Sequence, residues 1–190
     1  SMTVQSNAAP KPWGANDWMV FNIQLTGYYR VNYDTNLWQL IFNQLNAVNA
    51  GFDQIHRRNR AQLIDDAHHL ARGNRVDFSV IFNLMNYMWQ ELDYVPWMSA
   101  NRAFTFLTPR LSGSSIFPYY QEYIRRIVAP LFNHLGVQWI ANEPRLDRFS
   151  RTIAMNLACR HQLPECLART TAELTANVNE GRRIEPEYRA

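Results

Sequence analysis

Helical periodicity runs through the chain from Asp34 onward and constrains the fold more than any other feature of the sequence. Apolar residues such as Leu37, Leu40, Ile41 and Leu45 recur every three or four positions, which is typical of helices that bury one face. Such segments cover residues 37–48, 59–71, 77–92, 96–111, 117–135, 145–160 and 164–178. Short connections and unequal lengths predict a mainly α fold, a superhelix of helical hairpins of the HEAT or armadillo type.

The segment before Asp34 has a different pattern. Residues 1–16 are polar and rich in Ala, Pro and Asn, which predicts a tag or linker. Residues 17–33 hold the runs WMVFNIQ and GYYRVNY, whose aromatic and β-branched residues predict one short β-hairpin. On strand alternation, Tyr29 and Tyr33 would point inward beside Val31.

Local signals mark two helix starts. Asn59 followed by Gln62 resembles a capping box and predicts the start of the second helix. Pro96 predicts the start of a later helix in the stretch ELDYVPW, where Tyr94 and Trp97 would fill the gap between helical hairpins. Packing is the simpler interpretation of this stretch, and a peptide-contacting role is the alternative.

Charge and hydropathy limit the classes of partner. The formal net charge is +3, and acids separate the arginine pairs at 57–58, 125–126 and 182–183. Such a mixed surface argues against nucleic-acid binding, which needs basic charge concentrated on one face. No run approaches the ~18 apolar residues of a membrane helix, and no secretory signal opens the chain.

Motifs of self-contained active sites are missing from the sequence. It contains no H-E-x-x-H, G-x-S-x-G, P-loop, G-x-G-x-x-G or EF-hand pattern.

Asp65 and Asp66 fall on a polar helix face, where they would be solvated or paired with arginine. The adjacent His68 and His69 diverge by about 100° on a helix and cannot chelate one ion. All five histidines are predicted at the surface or at an interface: His56, His68, His69, His134 and His161.

The two cysteines, Cys159 and Cys166, are seven residues apart. On one continuous helix they would be about 10 Å apart, too far for a disulfide. Pro164 predicts a helix end and a new start between them, so the sulfurs could meet across the turn. Two reduced core cysteines are an equal alternative, and a metal site with His161 lacks a visible fourth ligand.

Five stretches carry a family resemblance. FNIQLTGYYRVNYD, NRAQLIDDAHHLAR, ELDYVPW, ACRHQLPEC and IEPEYR occur in this order along residues 21–189. In order and spacing they resemble one region of zinc aminopeptidases of the aminopeptidase N type, most closely the insect gut members. The stretch AHHLARGNRV departs from the usual family pattern, which puts only its local packing in doubt.

The resemblance implies a domain organisation. Residues 17–33 would be the terminal hairpin of a β-sandwich domain, and residues 34–190 the first part of a C-terminal helical domain. The family's H-E-x-x-H and G-x-M-E-N motifs are absent, so no catalytic or metal residue is carried over to this chain. The resemblance also implies a disulfide between Cys159 and Cys166. Structural roles at the junction fall to Gly27, Tyr28, Tyr29, Arg30, Tyr33, Pro96 and Trp97.

The function that the resemblance implies is architectural. The chain would be a non-catalytic part of a zinc aminopeptidase that removes N-terminal residues from peptides, with zinc in the parent's catalytic domain. The helical domain would cover that catalytic domain and limit substrate access. The parent would be extracellular and anchored to the cell surface, by a GPI or N-terminal anchor outside this sequence.

Other partners follow from the same resemblance. A helical scaffold that binds proteins such as bacterial toxins or antibodies, without an enzymatic role, is the alternative function. No nucleic-acid partner is expected. Self-association is expected through the C-terminal end, where the next helical unit of the family would cover an apolar face.

Overall fold

The computed structural model describes residues 14–181 apart from 48, 50 and 139, and these residues form seven α-helices. The helices are α1 (Thr35–Leu45), α2 (Arg57–Arg72), α3 (Ser79–Met85), α4 (Tyr94–Leu111), α5 (Phe117–Leu135), α6 (Arg145–Arg160) and α7 (Pro164–Glu180). The predicted mainly α fold is confirmed. The HEAT or armadillo-type arrangement stays a prediction.

Three sequence features lie outside the described residues. They are residues 1–13 of the predicted linker, Val48 at the end of the first predicted helix, and the stretch IEPEYR at 184–189. Among the helices that are described, none combines the length and apolar character needed to cross a membrane.

Helix α2 is the centre of the packing. It packs most extensively against α4 and also contacts α3 and a short 3-10 helix at Ile23–Leu25. Helix α6 lies against both α4 and α5. Apolar side chains from the α-helices form one buried cluster, in which Ile64, Trp97 and Ile127 are completely or almost completely inaccessible. The periodic stripes in the sequence therefore meet in a single core.

The start of α2 differs from the sequence signal for it. Asp34 caps α1 by accepting a hydrogen bond from the Leu37 N–H at 2.8 Å. In α2 the N-cap is His56, whose ring accepts from the Arg58 N–H at 3.2 Å. The predicted capping box of Asn59 and Gln62 is therefore wrong, because both residues lie inside α2 and are buried.

The segment predicted as one helix over 77–92 is divided. Helix α3 ends at Met85 and a 3-10 helix follows from Asn86 to Gln90. Asp93 then caps α4 by accepting from the Val95 N–H at 2.9 Å, and the helix begins at Tyr94, two residues before the predicted start at Pro96. Since the first-turn N–H groups have no helical partner, Pro96 is accommodated in the first turn.

The β-hairpin predicted over residues 17–33 is not confirmed, since the described residues of this segment form no strand. Asn22, Gln24 and Leu25 have left-handed backbone conformations with φ of 56°, 55° and 63°. The Asn22 side chain also accepts a hydrogen bond from the Gly27 N–H at 2.7 Å and donates one to the Gly27 carbonyl at 2.9 Å. A side chain thus replaces the backbone ladder that a hairpin would need.

The turn between α6 and α7 brings the two cysteines together. Gln162 adopts a left-handed conformation with φ of 60°, and the Leu163 N–H donates to the Ala158 carbonyl at 2.8 Å. These are the marks of a Schellman motif, which reverses the chain before Pro164 begins α7. Cys159 and Cys166 form a disulfide with a Cα–Cα distance of 5.3 Å.

Removing this disulfide will lower stability. The change Cys159→Ala with Cys166→Ala opens a loop of about eight residues and is expected to cost about 2.5 kcal/mol, from the regained entropy of the unfolded chain. Urea unfolding followed by circular dichroism measures the difference. Reduction of the unmodified protein is the control and should give a loss of similar size. A loss below about 0.5 kcal/mol would contradict the expectation.

Candidate functional site

One face of α2 holds the N-terminal segment through polar side chains. Asn59 accepts a hydrogen bond from the Gln24 N–H at 3.1 Å and donates to the Asn22 carbonyl at 3.4 Å. One turn later, Gln62 donates to the Phe21 carbonyl at 3.2 Å. The two residues that resemble a capping box in the sequence therefore bind backbone groups 35 to 41 positions earlier in the chain.

Asp66 and Arg30 form the charged part of the same contact. Asp66 Oδ2 accepts from the Val31 N–H at 3.1 Å. Arg30 Nη1 lies 2.7 Å from Asp65 Oδ2 and 3.1 Å from Asp66 Oδ1. Burial raises the pKa of the Asp66 carboxyl, while the bonds from Val31 and Arg30 favour its charged form and oppose that rise. Of the two alternatives for this acid pair, the structure shows arginine pairing.

Tyr33 and Val31 anchor the end of the segment in the core, and both are buried. The Tyr33 hydroxyl accepts from the Phe21 N–H at 3.1 Å. Its ring meets the Trp38 ring edge to face, with centroids 4.9 Å apart. Such aromatic pairs add a stabilisation of about 0.5–1.5 kcal/mol beyond area burial. Residues 17–33 and α1 are thereby joined.

Tyr28 and Tyr29 point away from the core, so the inward placement expected for Tyr29 is wrong. Tyr29 is 60% exposed and Tyr28 is fully exposed. The alternation rule fails here because the segment is not a strand. The Tyr29 ring lies over Gly27, where an added Cβ would come within 2.3 Å of a ring carbon. Only glycine permits this close approach.

A second polar cluster surrounds Glu91 and is almost entirely buried. Arg60 binds the Glu91 carboxylate with two bonds, Nε to Oε2 at 2.7 Å and Nη2 to Oε1 at 3.1 Å. Arg60 Nη1 also donates to the Ile55 carbonyl at 2.9 Å. The Tyr87 hydroxyl donates to Glu91 Oε2 at 3.1 Å, and burial raises the pKa of that hydroxyl. The pair joins α2 to the connection before α4.

Pro96 and Trp97 belong to this second cluster and lie apart from the N-terminal segment. Both are buried, and Trp97 Nε1 donates to the Glu91 carbonyl at 2.7 Å. The stretch ELDYVPW therefore packs within the protein at these two positions, which is the simpler of the two interpretations. The junction residues of the sequence analysis thus divide between two clusters, and α2 contributes to both.

A third buried pair, Arg151 with Glu143, joins α6 to the connection before it. Arg151 Nη2 lies 2.6 Å from Glu143 Oε2, and Nη1 donates to the other carboxylate oxygen. Arg151 Nε donates to the Leu135 carbonyl at 3.1 Å. Because Leu135 is the last residue of α5, this bond also attaches the C-terminal end of α5 to the pair.

The sequence analysis missed Arg60 and Arg151, although a signal was present. Arg60 lies on the stripe of Ile64, Ala67 and Ala71, and Arg151 lies on the stripe of Ala154 and Ala158. A charged residue at a core position of an amphipathic helix needs a buried partner. The partners themselves are in loops, so periodicity could not identify them.

His68 and His161 are buried within the chain, so neither lies at the surface, which was one of the two positions predicted for the histidines. Burial lowers the pKa of each imidazole to about 4, with neighbouring cationic groups adding to the effect. Neither ring nitrogen of His68 has a hydrogen-bond partner, and its ring packs against Phe106 at 5.3 Å. His161 Nε2 lies 3.4 Å from Thr108 Oγ1.

The chemistry of these clusters is that of recognition and packing. Across the part of the chain that the structure describes, no three His, Cys, Asp or Glu side chains converge as metal ligands. The carboxylates of Asp66, Glu91 and Glu143 are each engaged by an arginine. The arrangement holds segments of the chain together, and its most accessible part is the docked N-terminal segment.

Comparison with known proteins gives a consistent family. The family model of the ERAP1-like C-terminal domain matches residues 18–190. Aminopeptidase N of Plutella xylostella is 45% identical over 157 residues, 83% of this chain and 16% of that protein. Aminopeptidase N of Bos taurus is 32% identical over 93% of this chain and 18% of its own length. A membrane alanyl aminopeptidase of Heliothis virescens is 32% identical over 80% of this chain and 15% of its own length. The chain therefore spans less than a fifth of these relatives.

Breaking the buried pair of Arg60 and Glu91 will be costly. Arg60→Met leaves an unpaired buried carboxylate and is expected to reduce the free energy of unfolding by about 3–5 kcal/mol. The double variant Arg60→Met with Glu91→Leu should lose less, because no charge is left without a partner. Urea unfolding compares the variants.

The matched control for this prediction is Arg57→Met. Arg57 belongs to the same helix and pairs with Asp93 at 2.9 Å, but its side chain is 54% exposed. Its loss should cost less than about 1 kcal/mol. Equal losses for Arg57→Met and Arg60→Met would contradict the importance given to burial.

Stability will fall on mild acidification because of His68 and His161. Their pKa is about 4 in the folded state and about 6.5 in an unfolded chain, so only the unfolded state takes up protons between these values. From pH 7.5 to 5.5 each histidine should reduce the free energy of unfolding by about 1.4 kcal/mol. Urea unfolding at the two pH values measures the loss.

The control for the pH dependence is His68→Phe, which removes one of the two titrating groups while keeping an aromatic ring beside Phe106. The stability change between pH 7.5 and 5.5 should fall by about half. An unchanged pH dependence in this variant would show that His68 does not carry the effect.

Proposed function

Because the chain belongs to the ERAP1-like C-terminal domain family, we propose that it is a non-catalytic helical part of a zinc aminopeptidase that removes N-terminal residues from peptides. The observation that carries the proposal is the family match over residues 18–190, together with 45% identity to an insect aminopeptidase N. Zinc belongs to the catalytic domain of the longer protein, where it would activate the attacking water.

The role of the helical part is to cover the catalytic domain and limit the access of substrates. Buried ion pairs and a single close-packed core hold α1–α6 together, so these helices can act as a wall. The catalytic domain of the same polypeptide is then the principal partner. In this proposal the longer protein is an ectoenzyme held at the outer cell surface.

Residues 17–33 connect the helical part to a preceding β-sandwich domain in this proposal. Their inward groups are bound by α2, and their outward side chains form an apolar surface. Its members are Phe21, Ile23, Leu25, Tyr28 and Tyr29, each about half exposed or more. A surface of this kind is typical of a contact with another domain.

Helix α7 presents a second apolar surface. Cys166 is its one fully buried residue among those described, whereas Leu167, Leu174 and Val178 are 45%, 54% and 73% exposed. Further helices of the longer protein would cover these residues. In the isolated chain the same surface would support self-association, as the sequence analysis expects.

Binding of protein ligands such as bacterial toxins is the second candidate. Support for it is limited to the exposed aromatic side chains, among them Tyr28 and Tyr119. A direct comparison of toxin binding by this chain and by the longer protein would separate a binding role from an architectural one.

The access role is tested in the longer aminopeptidase. Arg30→Ala with Asp66→Ala removes the charged contact between residues 17–33 and α2 and should loosen the helical part relative to the catalytic domain. Hydrolysis of peptides of ten or more residues is expected to rise about twofold or more relative to hydrolysis of a small aminoacyl chromogenic substrate.

Two controls accompany this experiment. Arg102→Ala alters an exposed arginine of α4 and should leave the ratio of the two rates unchanged. The isolated chain should hydrolyse neither substrate, with or without added zinc. Zinc-dependent hydrolysis by the isolated chain, or an unaltered ratio in the double variant, would refute the proposal.

A further inference from the structure

A groove of about 540 Å³ lies where the C-terminal part of α4 meets the N-terminal ends of α3 and α5. Its walls are aromatic and aliphatic, with Phe78, Phe82, Ile116, Tyr119 and Tyr123 among the lining residues. Tyr119 is 79% exposed and Ile116 is 54% exposed. Contiguous apolar surface of this kind is unusual on a soluble protein unless something binds there.

Contacts within the chain hold the walls of the groove in a preorganised conformation. The Tyr123 hydroxyl donates to the Phe82 carbonyl at 2.9 Å, and the Phe82 and Tyr123 rings pack edge to face at 5.3 Å. Tyr120 closes the floor, with its hydroxyl 3.0 Å from Thr108 Oγ1. A preorganised wall lowers the entropy cost of docking.

Arginines stand at the edge of the groove. The Arg110 and Arg72 guanidinium groups lie over the Phe106 ring at 3.6 and 4.5 Å, and Arg126 lies over Tyr123 at 5.6 Å. None of the ion pairs found among the described residues uses these three arginines.

One acidic residue, Asp77, adjoins the groove. Asp77 precedes Phe78, and its carboxylate accepts from the Ser79 N–H at 2.7 Å. The bonds from Ser79 lower the pKa of the Asp77 carboxyl, so this group keeps its negative charge. The guanidinium groups of Arg72 and Arg110 outnumber it, and the edge of the groove carries net positive charge. Aromatic residues and arginine are also the residue types enriched at the centres of protein interfaces.

We propose that this groove docks a segment of a protein partner in which an aromatic or aliphatic side chain is flanked by Asp or Glu. The apolar side chain would enter between Phe78, Ile116 and Tyr119, and the carboxylates would meet Arg72 and Arg110. A second copy of this chain does not fit this description, because the two arginine edges would repel each other. Aliphatic walls and the low net charge of +3 favour a peptide over a nucleic acid.

Two fluorescent peptides test the docking. Both carry the same fluorophore on the N-terminal amine and are amidated at the C-terminus, one reading Asp-Glu-Phe-Leu-Glu-Asp and the other Asn-Gln-Phe-Leu-Gln-Asn, so that they differ in charge alone. Fluorescence polarisation with the 190-residue chain should show that the acidic peptide binds about tenfold or more tighter than the amide peptide. The difference between the two affinities should decrease as the salt concentration rises. Equal affinities, or no binding of the acidic peptide, would overturn the proposal.

Two arginine variants locate the site. Arg110→Glu should weaken binding of the acidic peptide about tenfold or more. Arg145→Glu is the matched control, since Arg145 also lies over a phenylalanine ring, Phe149 at 5.3 Å, but on α6. The affinity of the Arg145→Glu variant for the acidic peptide should stay within about twofold of that of the unmodified chain. Circular dichroism verifies that both variants are folded, and equal losses in the two would overturn the proposal.

Two further measurements address other occupants. A labelled oligouridylate that binds this chain more tightly than the acidic peptide would overturn the proposal in favour of a nucleic-acid surface. Self-association by light scattering that disappears in Ile116→Asp would overturn it in favour of a second copy. Unchanged scattering in Ile116→Asp, together with lost peptide binding, supports the proposal.

Discussion

The buried pair of Arg60 and Glu91 is the interaction on which the rest of the structure depends. It sits where α2, the 3-10 helix before Glu91 and the start of α4 meet, and it satisfies backbone carbonyls of the connection before α2 as well. A charge can remain in such a place only if its partner and its remaining hydrogen-bond donors are satisfied. The register between α2 and α4 is therefore fixed by chemistry as well as by packing.

Helix α2 extends this role to the N-terminal segment. Asn59, Gln62 and Asp66 lie along one face and bind backbone groups of residues 21–31. These bonds satisfy backbone N–H and C=O groups that a strand would have paired with a neighbour. A segment with strand-like composition can thus be held against a helix without joining a sheet in this chain. The same helix carries Arg60, which binds the buried Glu91, so α2 contacts both the docked segment and the core.

The comparison of sequence with structure is most instructive at α2. Its stripe of Leu63, Ile64, Ala67, Leu70 and Ala71 predicted the helix and its buried face, and all of these residues except the partly buried Leu70 are buried. Asn59 and Gln62 were misassigned as a cap because their spacing suits both a capping box and a docking face. Only the approach of residues 21–24 distinguishes the two. His68 was predicted at the surface or at an interface, and the packing of Phe106 against its ring shows that it lies buried between helices.

Local rules by themselves determined the helical character of the chain after Asp34, the approximate bounds of most helices and the turn at Gln162–Pro164, because hydrophobic period and turn chemistry act over a few residues. Several long stretches of the sequence also identified the family. The tertiary structure alone decided the partners of Arg60 and Arg151, the conformation of residues 17–33 and the placement of arginines at the edge of the aromatic groove. Those features depend on which helices become neighbours, and buried charges and side-chain docking are set by contacts across tens of residues.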